Sequence, residues 1–395
     1  MVPDKEVMKL SHQPGRPFRI LSIDGGGVRG AAPAAFLAML EERLGEPLHK
    51  HFDMIAGTSA GGLLALYIGG GGTAAEAGKL FSAETASRIM NKSLLDRVLP
   101  AALHTKPIYD GTGKRQILDQ VFGDRRLSDC VKPVLVTAYD VARKTLVEFN
   151  SQTANAGGEN PLLAEIADAT SAAPMYFPPV VVGDAPARWL VDGGVAANSP
   201  VVSGIAAAID GGVPAEDIVL LSMGTGSKNL SEAEVTEFRE KGKSWGGAEW
   251  LKHDIIGHVM DGAGSACDFW ARKILHDRYL RVQGPLNGPS PQMDDTSEMN
   301  IRALQAMGER WYAERGYVFV AMDVRGRGDS DGEFSPYVNE GRDGYDSIEL
   351  IAAQPWSDGA VGTIGGSYLG RIQWLTALEQ PPHLRAMVVA VPPSD

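Results

Sequence analysis

Cysteine is nearly absent: Cys130 and Cys267 are the only two in 395 residues. They are too few and too far apart for a disulfide scaffold or a thiolate metal cluster, so both thiols are expected to be buried and reduced. Positive charge is also scarce, with 37 Lys and Arg against 49 Asp and Glu and a net charge of −12. This balance works against general attraction to phosphate backbones or anionic membrane surfaces, and no nucleic-acid partner is expected. Long apolar runs are missing too. No stretch reaches the ~18 residues of a membrane-spanning helix, and the first twenty residues carry charges and prolines in place of a signal-peptide core. A cytoplasmic location is therefore expected. What remains, 44% hydrophobic and 22% charged residues, is the composition of a soluble globular chain. Its length suggests two or three domains at ~150 residues each.

From Phe18 onward, short β-branched runs alternate with helical stretches. Strands are expected at Arg19–Asp24, Asp53–Ala56, Pro133–Tyr139, Trp189–Val191 and Ile218–Met223, with helices over Ala34–Leu44 and Gly61–Ile68. The glycine run 69–72 ends the second helix. Such an order implies a parallel or mostly parallel sheet between helical layers, with sites at the carboxyl ends of strands.

Three strand ends carry chemistry. Gly57-Thr-Ser59-Ala-Gly61 is G-x-S-x-G between an apolar strand and a helix-forming run. A strand-to-helix turn that sharp leaves no room for a Cβ two residues before or after the serine, and it lifts the hydroxyl toward the positive end of the next helix. The alternative is a glycine-rich turn with an incidental serine. Asp24-Gly25-Gly26-Gly27-Val28-Arg29-Gly30 follows the first strand and opens a helix. It matches the dinucleotide fingerprint, but Asp53, at the spacing of the expected ribose-binding acid, begins its strand instead of ending it. Beside a nucleophile elbow, Gly25, Gly26 and Gly27 are better read as an oxyanion hole, whose loss typically costs ~3–4 kcal/mol. Arg29 pins that loop or adds positive potential. The third strand ends at Asp192, followed by Gly193-Gly194. None of the eight histidines sits in a strand-end motif, and His51 precedes the elbow strand, at the opposite end of the sheet. A Ser59–Asp192 dyad is the simplest reading. With a reference pKa of ~3.9, aspartate needs desolvation to serve as a base.

DGGGVRG, GTSAGG and DGG in that order, with Ala169-Thr-Ser-Ala-Ala-Pro174 and Gly224-Thr-Gly226, resemble the patatin-like phospholipase family of lipid acyl hydrolases over residues 18–310. The resemblance implies an α/β fold, a three-layer α/β/α patatin-like sandwich. Position by position it implies Ser59 as nucleophile, Asp192 as base, and Gly25–Gly27 with Arg29 as the oxyanion region. Its substrates are acyl esters of phospholipids, galactolipids and simpler esters. The implied partners are a lipid or small ester and, transiently, a membrane surface; no cofactor is expected, and His253 and His258, five apart without an H-E-x-x-H context, do not read as a metal site. The short N-terminus also resembles bacterial members that act as nucleotide-activated, membrane-degrading defence effectors.

The last part of the chain departs in composition. No lysine follows Lys273, and residues 311–395 hold six arginines against twelve acidic residues. After a helix over Glu298–Glu314, a strand is expected at Tyr317–Asp323 and another at Arg385–Val391. Val361–Gly370 contains a second strand–serine–helix pattern at Ser367. Residues 315–393 resemble the cocaine esterase and X-prolyl dipeptidyl-peptidase branch of α/β-hydrolases. In that branch the acid and histidine follow far downstream, yet only 28 residues follow Ser367, and neither His383 nor Asp395 matches a triad position. The expected organisation is an extension (1–17), an acyl hydrolase domain (18–310) and a truncated α/β-hydrolase-like segment (311–395). Unpaired strand edges in that segment would favour self-association. The competing functional readings are ester or peptide hydrolysis by Ser367 and a catalytically silent module. Lys228, Arg239, Lys241 and Lys243 read as a solvated face. Trp245, Trp250, Phe269 and Trp270 read as core packing or as an acyl-chain groove.

Overall fold

The computed structural model describes residues 10–13, 15–91, 106–183, 187–228, 230–253, 255–286, 288–313, 320, 322, 324–327, 330–354, 357, 359–366 and 368–390. Two compact units emerge, Met1–Arg315 and Gly316–Asp395.

The first unit is built on one sheet of eight strands: β1 (Phe18–Ile23), β2 (Met54–Thr58), β3 (Val134–Asp140), β4 (Thr145–Asn150), β5 (Val180–Val182), β6 (Arg188–Asp192), β7 (Ile218–Met223) and β8 (Tyr279–Val282). Its helices are α1 (Ala31–Leu44), α2 (Ala60–Gly69), α3 (Ala74–Gly78), α4 (Ala83–Ile89), α5 (Thr112–Phe122), α6 (Ser151–Asn155), α7 (Leu163–Thr170), α8 (Gly194–Ala197), α9 (Val201–Asp210), α10 (Glu232–Lys241), α11 (Gly247–Lys252), α12 (Ile255–Leu275) and α13 (Glu298–Ala313).

Strand neighbours run β5-β6-β3-β2-β1-β7-β8, with β4 also paired to β3. The sheet is mixed. β1, β2, β3, β7 and β8 are mutually parallel, whereas β3 is antiparallel to β4 and β6, and β5 is antiparallel to β6. The expected mostly parallel sheet is found; periodicity fixes which residues face the core but not which way a strand runs, so the reversed direction of β4 and β6 is not foreseen.

The central strands read as continuous apolar runs because both faces are covered. Leu21, Ile23, Ile55, Val134 and Val136 join α1, α2, α5, α7 and α13 in one core. Phe18, Ile20, Met54, Leu135 and Leu220 join α9 and α12 in another. The result is the expected α/β/α sandwich. Its layers follow from the period-two alternation of strands whose two faces are both buried.

The second unit holds a parallel pair, β9 (Val361–Gly366) and β10 (Leu384–Ala390), with α14 (Glu340–Ala352) and α15 (Tyr368–Leu378). The strand expected over Tyr317–Asp323 falls largely outside the described residues, as do Ser367 and Asp395. Among the described residues no helix is long and apolar enough to cross a membrane. Cys130 and Cys267 are free thiols, and both are half-buried where full burial was expected.

Candidate active site

Ser59 follows β2 directly and precedes α2, and it holds φ 53° and ψ −123°, a region that L side chains rarely occupy. Two close approaches explain the flanking glycines. A Cβ on Gly57 would lie 2.2 Å from the carbonyl oxygen of Gly61, and one on Gly61 would lie 2.1 Å from that of Ile23. The turn therefore closes only without side chains at those positions. α2 begins at the next residue, so its unsatisfied first-turn amides and positive end adjoin the serine.

Asp192 reaches Ser59 because two strands share one edge of β3. Along one side, β4 pairs with residues 135–140 of β3. On the other side β2 pairs with Val134–Thr137, and β6, running the opposite way, pairs with Ala138–Asp140. Thr58 stands opposite Thr137 and Asp192 opposite Ala138, so the carboxyl ends of β2 and β6 meet head to head. Ser59 Oγ donates to Asp192 Oδ2 at 2.6 Å, and Asp192 Oδ1 accepts the Gly194 amide at 2.8 Å. The residues are 5% and 1% exposed. Burial pushes the Asp192 carboxyl up to about 6, against the downward pull of the Ser59 and Gly194 hydrogen bonds and of the Lys114 charge. Desolvation thus supplies the shift that an aspartate base requires.

The glycine loop lies alongside. Asp24 at its head is held by Arg281 of β8, Nη2 to Oδ2 at 2.5 Å. The amide of Gly25 donates to Asn198 O at 3.0 Å and that of Val28 to Met293 O at 3.0 Å. Among the described residues this leaves the amides of Gly26 and Gly27 without a protein acceptor. Gly25 contributes a backbone without a side chain, its own amide being committed. Gly27 has φ +58°, and a Cβ there would lie 2.3 Å from Met293 O, so only glycine fits the turn that leaves these amides free. Arg29 is buried, and its Nε donates to Gly26 O at 3.3 Å, which pins the loop.

A cleft opens on this pair, lined by Gly27, Val28, Ser59 and Asp192 together with Leu63, Phe81, Ile89, Met90, Phe177, Met260 and Met293. Its mainly apolar lining suits an acyl chain. No histidine is among its lining residues. Sequence reasoning missed Lys114, which also lines the cleft and ion-pairs with Asp168 at 2.9 Å. A lysine within an otherwise unremarkable helical stretch gives no sign of burial. The four aromatics fit neither the core reading nor the groove reading. Trp245 and Trp250 pack on Phe238, Phe269 and Trp270 are 53% and 57% exposed, and none of the four lines the cleft. Lys228 and Lys241 pair with Glu234 and Glu237 on the exposed α10, as a solvated face would.

In the second unit, His383 Nδ1 lies 2.7 Å from Glu349 Oε2. It immediately precedes β10, whose Leu384 pairs with Val361, the first residue of β9, while Ala390 pairs with Gly366, the last. At ~3.3 Å per residue, His383 therefore stands roughly 20 Å from the carboxyl end of β9, the end that precedes Ser367.

Residues 21–205 match the family model described as patatin-like phospholipase. Residues 258–395 match that of X-Pro dipeptidyl-peptidase, the S15 family, beginning inside α12 and well before the second compact unit. Patatin-like protein 1 of Oryza sativa subsp. indica is 31% identical over 346 residues, covering 76% of this chain and 83% of the relative. Patatin-17 of Solanum cardiophyllum is 31% identical over 339 residues, covering 75% and 84%. The solved structure of VipD from Legionella pneumophila covers 78% of this chain and 71% of its own, at 11% identity and a TM-score of 0.37, too low to carry an argument.

Proposed function

The chain belongs to the patatin-like phospholipase family and is a lipid acyl hydrolase, and from that premise we propose that Ser59 and Asp192 form its catalytic dyad, with Gly26 and Gly27 donating to the oxyanion. The observation that carries this reading is the 2.6 Å hydrogen bond between two buried side chains at the wall of an apolar cleft.

With an ester carbonyl over the glycine loop, Ser59 Oγ attacks its carbon while Asp192 Oδ2 takes the hydroxyl proton. The carbonyl electrons move onto oxygen, where the free amides stabilise them. Collapse breaks the bond to the alcohol, which leaves with the proton returned by Asp192. Water then repeats the sequence on the acyl-serine, and Asp192 again accepts and returns a proton, releasing the fatty acid. The cleft takes the acyl chain. The dyad, the oxyanion donors and a catalytic domain ending near residue 310 belong together in this proposal. The distance between His383 and the end of β9 weighs against the tail as the site.

A fluorophosphonate tests the assignment, since it traps an activated serine. The expected adduct maps by mass spectrometry to the Ser59 peptide and is missing in Asp192→Asn. An adduct confined to another serine would overturn the proposal.

A further inference from the structure

The segment Ala169–Pro174 stands out in the sequence, yet the dyad and the oxyanion loop give it no task. It forms the end of α7 and the turn after it, and it touches both members of the Ser59–Asp192 pair through their backbones. Thr170 Oγ1 accepts the Ser59 amide at 2.8 Å and donates its own proton to Thr137 O at 2.7 Å. Two residues on, the carbonyl of Ala172 accepts the Asp192 amide at 3.0 Å. Both Thr170 and Ala172 are wholly buried.

Ser59 depends on this contact more than an ordinary residue would. Its φ of 53° is a strained state that the surroundings must enforce. The α2 ladder cannot hold its amide, because the start of a helix leaves its amides unpartnered. The Thr170 hydroxyl is the acceptor that amide has, and its other bond anchors it to β3, the strand whose edge β2 and β6 share.

The turn itself is fastened from behind. Lys114 of α5 directs Nζ to Asp168 Oδ1 at 2.9 Å, to Asp168 O at 3.0 Å and to Ser171 Oγ at 3.3 Å. Two of these are hydrogen bonds and the third is an ion pair. The side chain is only 3% exposed. A buried ammonium is tolerated where it is paired and fully hydrogen-bonded, and it is costly to disturb.

We propose that Thr170 is a positioning residue of the acyl-transfer reaction: its hydroxyl seats the Ser59 backbone so that Oγ stays on Asp192, and Lys114 locks the turn that carries it. This rests on the reading of Ser59 and Asp192 as the dyad. Misplacing a nucleophile by about 1 Å costs on the order of a hundredfold in rate. Thr170 itself is not among the residues lining the cleft, although Ser171 and Ala173 of the same turn are, so KM should change much less than kcat.

The test uses the full chain and a short p-nitrophenyl ester, well below the melting temperature of every variant. Thr170→Val keeps the shape and removes the hydroxyl, Thr170→Ser keeps the hydroxyl, and Ser59→Ala is the reference. Thr170→Val is expected to lose about 30- to 100-fold in kcat with KM within about threefold of the parent. Thr170→Ser is expected to stay within about threefold in kcat. A purely stabilising role would lower the melting temperature and leave kcat alone, so an unchanged kcat in Thr170→Val overturns the inference. A Thr170→Ser variant as slow as Thr170→Val also overturns it. If Thr170→Val fails to fold, Thr170→Ala is read in the same way. Ser59→Ala retaining full activity would instead overturn the dyad reading, a result distinguishable from either of the others.

Discussion

Asp192 carries opposed demands at the residue scale. As the proposed base it must be ionised to take the Ser59 proton, yet burial pushes its carboxyl from 3.8 up to about 6. Only the ionised form is a base, so kcat/KM should fall about tenfold per pH unit below about 6. The same shift sets a stability cost. The folded state binds this proton more tightly than the unfolded chain does, so the protonated group favours the fold at low pH. That contribution is lost as pH rises through the window from 3.8 to about 6. Above the window the buried charge costs roughly 3 kcal/mol, two pKa units at about 1.4 kcal/mol each. Asp192→Asn should therefore be inactive and, at pH 8, melt at a higher temperature than the parent, with the gap narrowing at pH 4. A variant that melts lower at pH 8 would show that burial of the charge is not what raises the pKa. The candidate residues themselves were legible in the sequence, because Ser59, Asp192 and the glycine loop each close an apolar strand with glycines beside them. Lys114 was not, and Thr170 was legible only as part of the segment Ala169–Pro174, since their roles depend on which groups the fold brings together.

The elbow makes its requirement at the element scale. Gly61→Ala would place a methyl 2.1 Å from the backbone oxygen of Ile23 in β1, which neither element can relieve without moving the central sheet. A loss of more than about 3 kcal/mol is expected, seen as insoluble protein or a large fall in denaturation midpoint. Gly78→Ala at the end of α3 is the control, with nothing nearer than Ala34 Cβ at 3.9 Å, and it should change stability by less than about 1 kcal/mol. Equal effects would mean that the close approach does not govern the turn. Of the strands read correctly, β1, β2 and β3 are mostly buried apolar runs, while β6 and β7 were marked by a short apolar run leading into glycines. β5 and β8 are short, at three and four residues. β4 follows a turn in which Asp140 Oδ1 accepts the amides of Ala142 and Arg143. Its alternating Thr145–Asn150 pattern was the available signal. The direction of β6 was invisible to periodicity, although that direction is what brings Asp192 head-on to Ser59.

The whole molecule contains two strand–serine–helix patterns in one chain, and motif alone does not rank them. Context does. The first lies in an eight-stranded sheet covered on both faces, with an aspartate, a glycine loop and a cleft converging on it. Among the described residues the second unit shows a two-stranded sheet, with His383 tied to Glu349 at the end away from the carboxyl end of β9. Half of the net charge of −12 sits in residues 311–395, so the first unit carries a milder negative balance. The most direct test measures kcat/KM for p-nitrophenyl esters in full-length Ser59→Ala and Ser367→Ala. Ser59→Ala should lose at least about a thousandfold and Ser367→Ala less than about twofold; the reverse pattern would move the active site to the tail and contradict the assignment of the dyad.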